Sequence, residues 1–275
     1  MMGRRSRPRG ARQQEPEKHI MQLRILGCSG GIGGERRTTS MLVDDDLLID
    51  CGTGVGELSL DEMARLRHVF LSHTHLDHIA GLPLLVDTLF NHLIERPLII
   101  HAQPESMEII QQHIFNWQIW PDFFELPAHS KPSVVFEAMR PGETVEIDGR
   151  RIEMIPVNHT VPTVGYRVQG SGGSFAFSGD TTRNETLWAA LNAHDGLDLL
   201  VVECGFSDEE REIAELAKHY SPELLAADLQ QLRHDPEILI THLKPGDEER
   251  IFAELEAAVS GRRLRRLTGG DRFQL

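Results

Sequence analysis

The fold of this chain is decided by one stretch of sequence, Ser72-His73-Thr74-His75-Leu76-Asp77-His78. It joins a strand-like run at 68–72 to a helix-like run that begins near Asp77. Residues i and i+2 of an extended segment point to the same side, so His73 and His75 can converge on one metal ion. Asp77 and His78 then lie on the turn into the helix, where they can face a second ion. Imidazole nitrogen and carboxylate oxygen together form the ligand set expected for zinc, and they also suit manganese or iron.

The charge of the chain is strongly negative and unevenly distributed. The formal net charge is −14 at pH 7, although residues 1–19 carry six basic and two acidic side chains. That segment is predicted to be a disordered basic tail, and 20–275 to be a single domain with a net charge of −18. An acidic body is a poor partner for a long polyanion, so a nucleic-acid substrate is disfavoured. A small anion can still bind where metal ions supply positive charge.

Cysteine usage and the lack of long apolar runs indicate the compartment. The three cysteines, Cys28, Cys51 and Cys204, are widely separated and form no CxxC pair. This pattern argues against a disulfide framework and favours a reducing cytoplasm. No apolar run approaches the length of a membrane span, and the N-terminus lacks the apolar segment of a secretory signal. We therefore expect a cytoplasmic protein that does not cross a membrane.

Hydrophobic periodicity predicts two halves that each run from strands to helices. Strands are predicted at 21–27, 40–43, 47–50, 68–72, 98–101, 133–138, 143–148, 151–158, 164–169, 173–178, 197–203 and 238–242. Helices are predicted at 58–66, 79–94, 105–116, 184–193, 208–217, 221–234 and 247–259. Two facing sheets covered by helices would form an α/β fold, a four-layer αββα sandwich.

Three segments allow both a functional and a structural interpretation. The glycine-rich loop 28–34 has neither a following helix nor a Gly-Lys-Ser/Thr ending, so a flexible turn is favoured over a phosphate-binding loop. The acids at 44–46 are interpreted as a solvated hairpin turn rather than a metal site. Five aromatic residues crowd segment 115–128, where core packing or a dimer contact is favoured over a flap above the substrate. A homodimer is left open.

Four strand ends carry residues that bind metal ions. Besides the opening stretch, His159, Asp180 and His242 each follow a predicted strand. Together these positions supply five histidines and two aspartates, enough for two divalent ions with about four ligands each and one ligand shared. The assignment places His73, His75 and His159 on the first ion, Asp77, His78 and His242 on the second, and Asp180 between them. Zinc is the favoured metal, with Mn²⁺ or Fe²⁺ as alternatives.

The order of these residues resembles a known superfamily. The motif His73-Thr-His75-Leu-Asp77-His78, followed by His159, Ser-Gly-Asp180 and Thr-His242, is similar to the metallo-β-lactamase superfamily over 21–275. The resemblance implies the αββα sandwich, with a dimetal site at the sheet edges. The β-lactamases proper place a cysteine where Asp180 stands. The chain therefore resembles the phosphodiesterase and hydrolase branches instead.

Two of those branches are similar at particular segments. Residues 75–82 and 240–245 resemble the class II cyclic-nucleotide phosphodiesterases, although that motif continues with Ser-Ala or Ser-Pro where this chain continues with Pro83. Residues 159–167 and 178–181 resemble tRNase Z, the tRNA 3′-processing endonuclease. Both branches cleave phosphodiesters, so the resemblance implies the same reaction class in either case.

The resemblance to tRNase Z also implies residues for proton transfer. His219 and Glu203 match the histidine and glutamate of that branch in order and spacing, and His219 would protonate the leaving ribose oxygen. The structural alternatives are a helix C-terminal cation for His219 and a strand-end carboxylate for Glu203. Asp77 is counted as catalytic as well as a ligand. Asp50 is interpreted either as the acceptor of a ligand histidine's free N–H or as a turn cap, and Lys244 either as a phosphate contact or as a surface lysine.

We therefore predict a dinuclear metal phosphodiesterase, with a small phosphodiester such as a 3′,5′-cyclic nucleotide (cAMP or cGMP) as the favoured substrate. One alternative is a tRNase Z-like 3′-processing endoribonuclease, but segment 105–130 is aromatic and acidic, unlike the tRNA-gripping arm of that family. Another alternative is a thioester or lactone hydrolase of the same fold. A metal-stabilised binding or sensor protein is disfavoured, because a purely structural zinc site closes with about four ligands.

Overall fold

A computed structural model describes residues 20–275, so the tail predicted at 1–19 lies outside the described residues. The strands are β1 (Gln22–Gly27), β2 (Ser40–Val43), β3 (Leu47–Ile49), β4 (His68–Phe70), β5 (Leu98–Ala102), β6 (Pro127–Ala128), β7 (Lys131–Pro132), β8 (Val134–Ala138), β9 (Thr144–Ile147), β10 (Arg150–Pro156), β11 (Val164–Gln169), β12 (Ser174–Phe177), β13 (Leu199–Glu203), β14 (Glu237–Thr241), β15 (Arg263–Arg266) and β16 (Arg272–Gln274). The helices are α1 (Leu60–Met63), α2 (Leu76–Ile79), α3 (Gly81–Thr88), α4 (Phe90–Leu93), α5 (Pro104–His113), α6 (Thr186–Asn192), α7 (Arg211–Ala217), α8 (Pro222–Leu229) and α9 (Glu248–Ala258). Short 3₁₀ turns cover Thr53–Glu57 and Asp208–Glu210.

Two seven-stranded sheets form the centre of the described chain. The first sheet has the order β16-β1-β2-β3-β4-β5-β8, and the second has the order β15-β14-β13-β12-β11-β10-β9. The four strands from β3 to β8 in the first order are parallel, and so are β12 to β15 in the second. The other neighbours in both sheets are antiparallel. Strands β6 and β7 form a small separate hairpin.

Alternation along the strands explains why both faces of each sheet are covered. In β13, Leu199 and Val201 pack into the core between the sheets, whereas Leu200 and Val202 pack beneath the outer helices. Successive strand side chains point to opposite faces, so a continuous apolar run requires a cover on each side. Helices α3 and α5 cover the outer face of the first sheet, and α6, α8 and α9 cover that of the second. The predicted αββα sandwich is confirmed.

Element boundaries differ from the predictions where the chain is short, polar or interrupted. The helix predicted at 79–94 is divided into two short helices, α3 and α4, and α2 ends where the predicted helix begins. Helix α3 restarts at Gly81 with Pro83 in its first turn, where the missing N–H of proline costs no hydrogen bond. Strands β15 and β16 were not predicted at all. Both are sheet edges, and their arginines hide the apolar pattern that identifies a buried strand.

The aromatic segment lies at the edge of the first sheet opposite the metal-ligand residues. Strands β4, β5 and β8 are parallel, so the chain must return from the carboxyl end of β5 to the amino end of β8, and 115–128 belongs to this return. Accordingly, Ser133 at the amino end of β8 donates its N–H to Leu126 (2.7 Å). Phe115 and Phe123 are buried in the outer core, whereas Trp117 is 59% exposed. The flap interpretation is therefore wrong, and core packing accounts for the buried rings.

The acidic turn at 44–46 binds an arginine. The Arg150 guanidinium donates to Asp46 through two nitrogens (2.5 and 2.8 Å) and to Asp44 (3.1 Å), which links the two sheets. Cys28, Cys51 and Cys204 are free thiols. Within residues 20–275, no helix has the length and apolar character needed to cross a membrane.

Candidate metal centre

The predicted ligands converge at one edge of the sandwich, at the ends of strands from both sheets. Their potential ligand atoms form two groups, and within each group all of these atoms lie within 4.8 Å of one another. The first subsite consists of His73, His75, His159 and Asp180. The second subsite consists of Asp77, His78, Asp180 and His242. The structure thus brings the whole predicted ligand set together, and Asp180 belongs to both subsites.

Asp180 lies at the centre of this arrangement. Its Oδ2 is 3.2 Å from Nε2 of His78, 3.2 Å from Nε2 of His242 and 3.7 Å from Nε2 of His73. Nε2 of His242 also lies 3.0 Å from Oδ2 of Asp77. One carboxylate oxygen therefore faces imidazoles of both subsites, as expected of a bridging ligand.

Local backbone geometry places these side chains. His75 is the N-cap of α2, so Asp77 falls in the first turn, where the helix dipole favours a carboxylate. Asp180 follows Gly179, whose φ is +61° and whose added Cβ would lie 2.5 Å from the carbonyl oxygen of Val164. Only glycine fits this turn, because a side chain would meet both strain and a backbone clash. His242 also has a positive φ, 62°, at the end of β14.

Asp50 supports the part of the site contributed by the first sheet. Its carboxylate is buried, and Oδ2 accepts a hydrogen bond from Nδ1 of His78 (2.7 Å). The same carboxylate accepts the N–H and the hydroxyl of Ser72 (both 2.7 Å), and the Ser72 hydroxyl lies 3.0 Å from Nδ1 of His73. Asp50 therefore orients one histidine of each subsite, directly or through Ser72, and leaves each Nε2 facing the centre.

His159 is oriented by a backbone carbonyl of a distant loop. Its Nδ1 donates to the carbonyl oxygen of Lys218 (2.9 Å), and the ammonium group of Lys218 donates in turn to the carbonyl oxygen of His159 (3.0 Å). With its proton on Nδ1, His159 presents the lone pair of Nε2 toward Nδ1 of His75, 3.1 Å away. These two imidazole nitrogens are close enough to bind one cation together.

The protonation states fit a cation site. Burial lowers the pKa of His73 well below its usual range and that of His159 to about 4, so both rings are neutral. Burial raises the pKa of Asp180, but His242 and His78 outweigh it and hold that pKa well below the ordinary value. Burial lowers the pKa of His78, yet Asp180 and the hydrogen-bonded Asp50 raise it well above normal. The carboxylates thus favour positive charge here, which a divalent ion would supply in place of a proton.

Several buried polar atoms at the centre also lack a hydrogen-bond partner. These are Nε2 of His73, Nε2 of His78 and Oδ1 of Asp180. Buried polar atoms are normally paired, because leaving one unpaired costs about 1–3 kcal/mol. Imidazole nitrogens and a carboxylate oxygen within one buried cluster are the donor set of zinc and related divalent ions. The residues therefore fit the divalent metal ions that the sequence predicts.

Glu203 and His219 lie beside the second subsite as a hydrogen-bonded pair. Nδ1 of His219 lies 2.9 Å from Oε1 of the fully buried Glu203, which also accepts the N–H groups of Thr181 (2.9 Å) and Gly205 (3.0 Å). Burial lowers the pKa of His219, but the Glu203 carboxylate outweighs it and raises that pKa from 6.5 to about 9. The Glu203 carboxylate therefore favours the protonated imidazole of His219, with Nδ1 bound to the carboxylate and Nε2 on the opposite part of the ring.

A row of rings connects this pair to the metal centre. The His219 ring stacks on that of His242 at 5.1 Å and lies 5.0 Å from that of His159. On its other side, the ring of Phe206 lies 5.6 Å away, and the ammonium group of Lys244 sits 4.8 Å from the centre of the Phe206 ring. Lys244 is therefore an exposed cation at the border of the site.

Two residues that support the site were missed by sequence analysis. Ser72 lies within the opening stretch, where only its neighbours have metal-ligand chemistry. Lys218 acts through its main chain, which no side-chain motif reveals. Among the histidines that were set aside, His101 pairs with His68 (3.0 Å) and His194 with Glu153 (2.7 Å), outside both subsites.

Two enzyme groups are represented among the curated relatives that this chain resembles. A protein of Yersinia pestis named probable 3′,5′-cyclic-nucleotide phosphodiesterase is 23% identical over 204 residues, which cover 66% of this chain and 57% of that protein. Ribonuclease Z of Bradyrhizobium diazoefficiens is 30% identical over 147 residues, 51% of this chain and 46% of the relative. The chain thus spans about half the length of these curated relatives.

Solved structures match over nearly the whole chain. Unliganded yeast PDE1 has a TM-score of 0.78 at 18% identity, with 93% of this chain and 99% of that chain covered. The metallo-β-lactamase fold protein YhfI of Bacillus subtilis has a TM-score of 0.75 at 20% identity, with 94% and 100% covered. The short form of human tRNase Z has a TM-score of 0.66 at 15% identity, with 92% and 98% covered. At these identities the likeness concerns the fold.

Family membership follows from a match to most of the chain. The family model described as "Beta-lactamase superfamily domain" matches residues 46–259, from the acidic turn to the end of α9. This range contains every residue of both subsites and the Glu203–His219 pair. The chain belongs to the metallo-β-lactamase superfamily.

Proposed function

We propose that this protein is a metal-dependent phosphodiesterase with two divalent ions, one in each subsite. The observation that carries the proposal is the Glu203–His219 pair, which lies beside a two-part ligand set centred on Asp180. A phosphodiester loses an alkoxide, which needs a proton as it leaves, whereas a thiolate does not. A buried carboxylate that stabilises a protonated imidazole beside the ligand set therefore favours a phosphodiester over a thioester.

Each side chain has a defined task in this proposal. Divalent ions held by the two subsites would activate a water molecule and offset the charge of the phosphate. Asp180 holds the two halves of the ligand set together, and Asp77 completes the second half. Glu203 fixes the proton of His219 on Nδ1, so that Nε2–H is directed away from the carboxylate. His219 then donates its Nε2 proton to the leaving oxygen, and Glu203 stabilises the imidazolium before the transfer.

For the substrate we propose a small phosphodiester, with a 3′,5′-cyclic nucleotide as first candidate. The net charge of −14 disfavours a long polyanion, which would need many cationic contacts. The Yersinia pestis relative bears the name of this activity. RNA 3′-end cleavage is the second candidate and has about as much support as the first. It rests on the ribonuclease Z relatives and on the resemblance of Glu203 and His219 to the pair of that branch.

A side-by-side turnover assay tests the proposal. The protein is loaded with a defined amount of Zn²⁺ or Mn²⁺ and offered cyclic AMP, cyclic GMP, a tRNA precursor and a thioester. We expect close to two ions per chain by elemental analysis and turnover of at least one phosphodiester. Turnover of the thioester alone, or one ion or none per chain, would refute the dinuclear phosphodiesterase. Preference for the tRNA precursor would select the second candidate.

A further inference from the structure

Lys218 has an unusual backbone conformation at the end of α7. Its φ is 55° and its ψ is 52°, the left-handed region that non-glycine residues seldom adopt. Its N–H bonds to the carbonyl of Glu215 (3.3 Å), and the N–H of His219 bonds to the carbonyl of Ala214 (2.9 Å). These two bonds define a Schellman motif, in which glycine is the usual residue at the position that Lys218 occupies.

Lys218 makes two contacts with His159, one through its main chain, which a glycine would share, and one through its side chain, which a glycine would lack. Its carbonyl accepts Nδ1–H of His159, and its ammonium group donates to the carbonyl of His159. The carbonyl points at the ring only because the backbone at Lys218 is left-handed. The ammonium contact stabilises the same arrangement from the side chain. Strained residues that persist at a site are held by such surrounding contacts.

Lys218 also precedes His219 directly, so one backbone geometry sets two functional groups. The carbonyl on one side of its Cα orients a first-subsite ligand, and the next residue carries the imidazole that Glu203 holds. His159 follows β10 and Lys218 ends α7, so this contact joins two loops that are 59 residues apart in the chain.

We propose that Lys218 is a positioning residue that couples the loop bearing His219 to the first subsite. The main chain provides most of the coupling, through the left-handed conformation that presents the carbonyl to His159. The ammonium group adds to it by holding the loop of His159 in place. Metal affinity and the orientation of His219 should therefore change together when this backbone conformation is disturbed.

Three substitutions separate the two contributions. Lys218→Gly removes the ammonium group but favours the left-handed backbone. Lys218→Met removes the ammonium group and leaves the backbone preference nearly unchanged. Lys218→Val removes the ammonium group and opposes the left-handed backbone, because a β-branched side chain is a poor fit there. Asp148, an exposed turn residue with φ 48°, provides the matched controls Asp148→Gly and Asp148→Val.

The first measurement is Zn²⁺ affinity by competition with a chromophoric chelator, on the intact protein. We expect Lys218→Val to weaken one of the two sites by about tenfold or more, the size of effect seen when partners of metal ligands are removed. Lys218→Gly should stay near the native value, and Lys218→Met should lie between. Equal affinities for the Gly and Val variants, whether native-like or weakened, would overturn the proposal. A loss of the same size in Asp148→Val would do so too, since it would indicate a general effect of strain.

The second measurement separates this proposal from the proposed function, on which it rests. Lys218→Val should lower turnover of an alkyl phosphodiester more than turnover of its nitrophenyl counterpart, since His219 moves with the loop, and Lys218→Gly should restore the native ratio. A weakened site in Lys218→Val together with no phosphodiester turnover by the native protein would reject the phosphodiesterase function and leave the coupling to the first subsite standing. Native affinity in Lys218→Val with intact turnover would reject the coupling alone.

Discussion

The two sheets contribute to the metal centre in different ways. The first-sheet side comes from one contiguous stretch, His73 to His78, and it is supported by the buried carboxylate Asp50. The second-sheet side consists of His159, Asp180 and His242, which come from three separate strand ends, together with Glu203 and His219. Its support includes a main-chain carbonyl at the end of α7. One side is thus a single compact element, and the other is an assembly of loops.

In the proposed function this difference separates metal binding from catalysis. The first-sheet side would supply ligands and their buried support, so its variants should change the affinity for metal. The second-sheet side would supply ligands and also the Glu203–His219 pair, so variants of that pair should change turnover while the ions remain bound. Asp180 follows a strand of the second sheet but lies close to His73 and His78 of the first-sheet side. Its loss should therefore affect both metal binding and turnover.

The largest effect is expected for Asp180→Ala, which should lower metal binding and turnover together. Both subsites lose their shared carboxylate, so bound metal should fall below two ions per chain. Turnover of bis(p-nitrophenyl) phosphate should fall by far more than the about 10- to 100-fold that loss of an outer partner costs. Elemental analysis and initial rates test this, with Asp235→Ala in an exposed loop as the control. Unchanged turnover would refute the shared role of Asp180.

The next effect concerns the second-sheet side alone. His219→Ala should lower turnover of alkyl phosphodiesters by about 10²- to 10⁴-fold, the usual contribution of a general acid. Nitrophenyl esters should lose much less, because nitrophenolate leaves without a proton. His194→Ala removes another histidine that pairs with a glutamate, Glu153, and should leave both rates unchanged. Equal losses on the two ester types would exclude His219 as the proton donor.

A smaller effect is expected on the first-sheet side. In Asp50→Asn an amide replaces a carboxylate that accepts hydrogen bonds from Ser72 and His78. The NH₂ group of the amide would face one of these hydrogen-bond donors, and that hydrogen bond would be lost. Zinc affinity should fall by about 10- to 100-fold. Excess Zn²⁺ should restore much of the turnover, unlike in His219→Ala. Asp228→Asn, at another buried carboxylate, should leave zinc affinity at the native value. If excess Zn²⁺ fails to restore the turnover of Asp50→Asn, the proposed separation of metal binding from catalysis is contradicted.

The same contrast explains how much of the site could be predicted from sequence. The stretch from His73 to His78 could be recognised from sequence alone, because residue types that bind metal ions lie at strand and helix spacing within it. His159, Asp180 and His242 could be added because each follows an apolar strand. The contribution of Lys218 could not, since its main-chain carbonyl and left-handed backbone depend on tertiary contacts. The role of Ser72 depends on Asp50, which is 22 residues away in sequence.

The fold was predictable to a similar extent. Buried strands such as β13 are continuous apolar runs, and they fix the two sheets and the αββα arrangement. The edge strands β15 and β16 carry arginines, so they have no apolar signal to read. The aromatic segment posed the opposite problem. Its aromatic rings are conspicuous in the sequence, but composition does not indicate which edge of a sheet a segment occupies. The parallel arrangement of β5 and β8 determines that edge.

The smallest effect on turnover is therefore expected at the aromatic segment, far from both sides of the centre. Trp117→Asn alters an exposed ring at a residue with φ 64°, a conformation that asparagine tolerates, so turnover and stability should stay native. Phe115→Ala empties a buried position and should destabilise the fold by about 3–5 kcal/mol. Its turnover per folded molecule should still be native. Denaturant unfolding together with initial rates tests the pair. A higher KM in Trp117→Asn would place this ring against the substrate and contradict the topology.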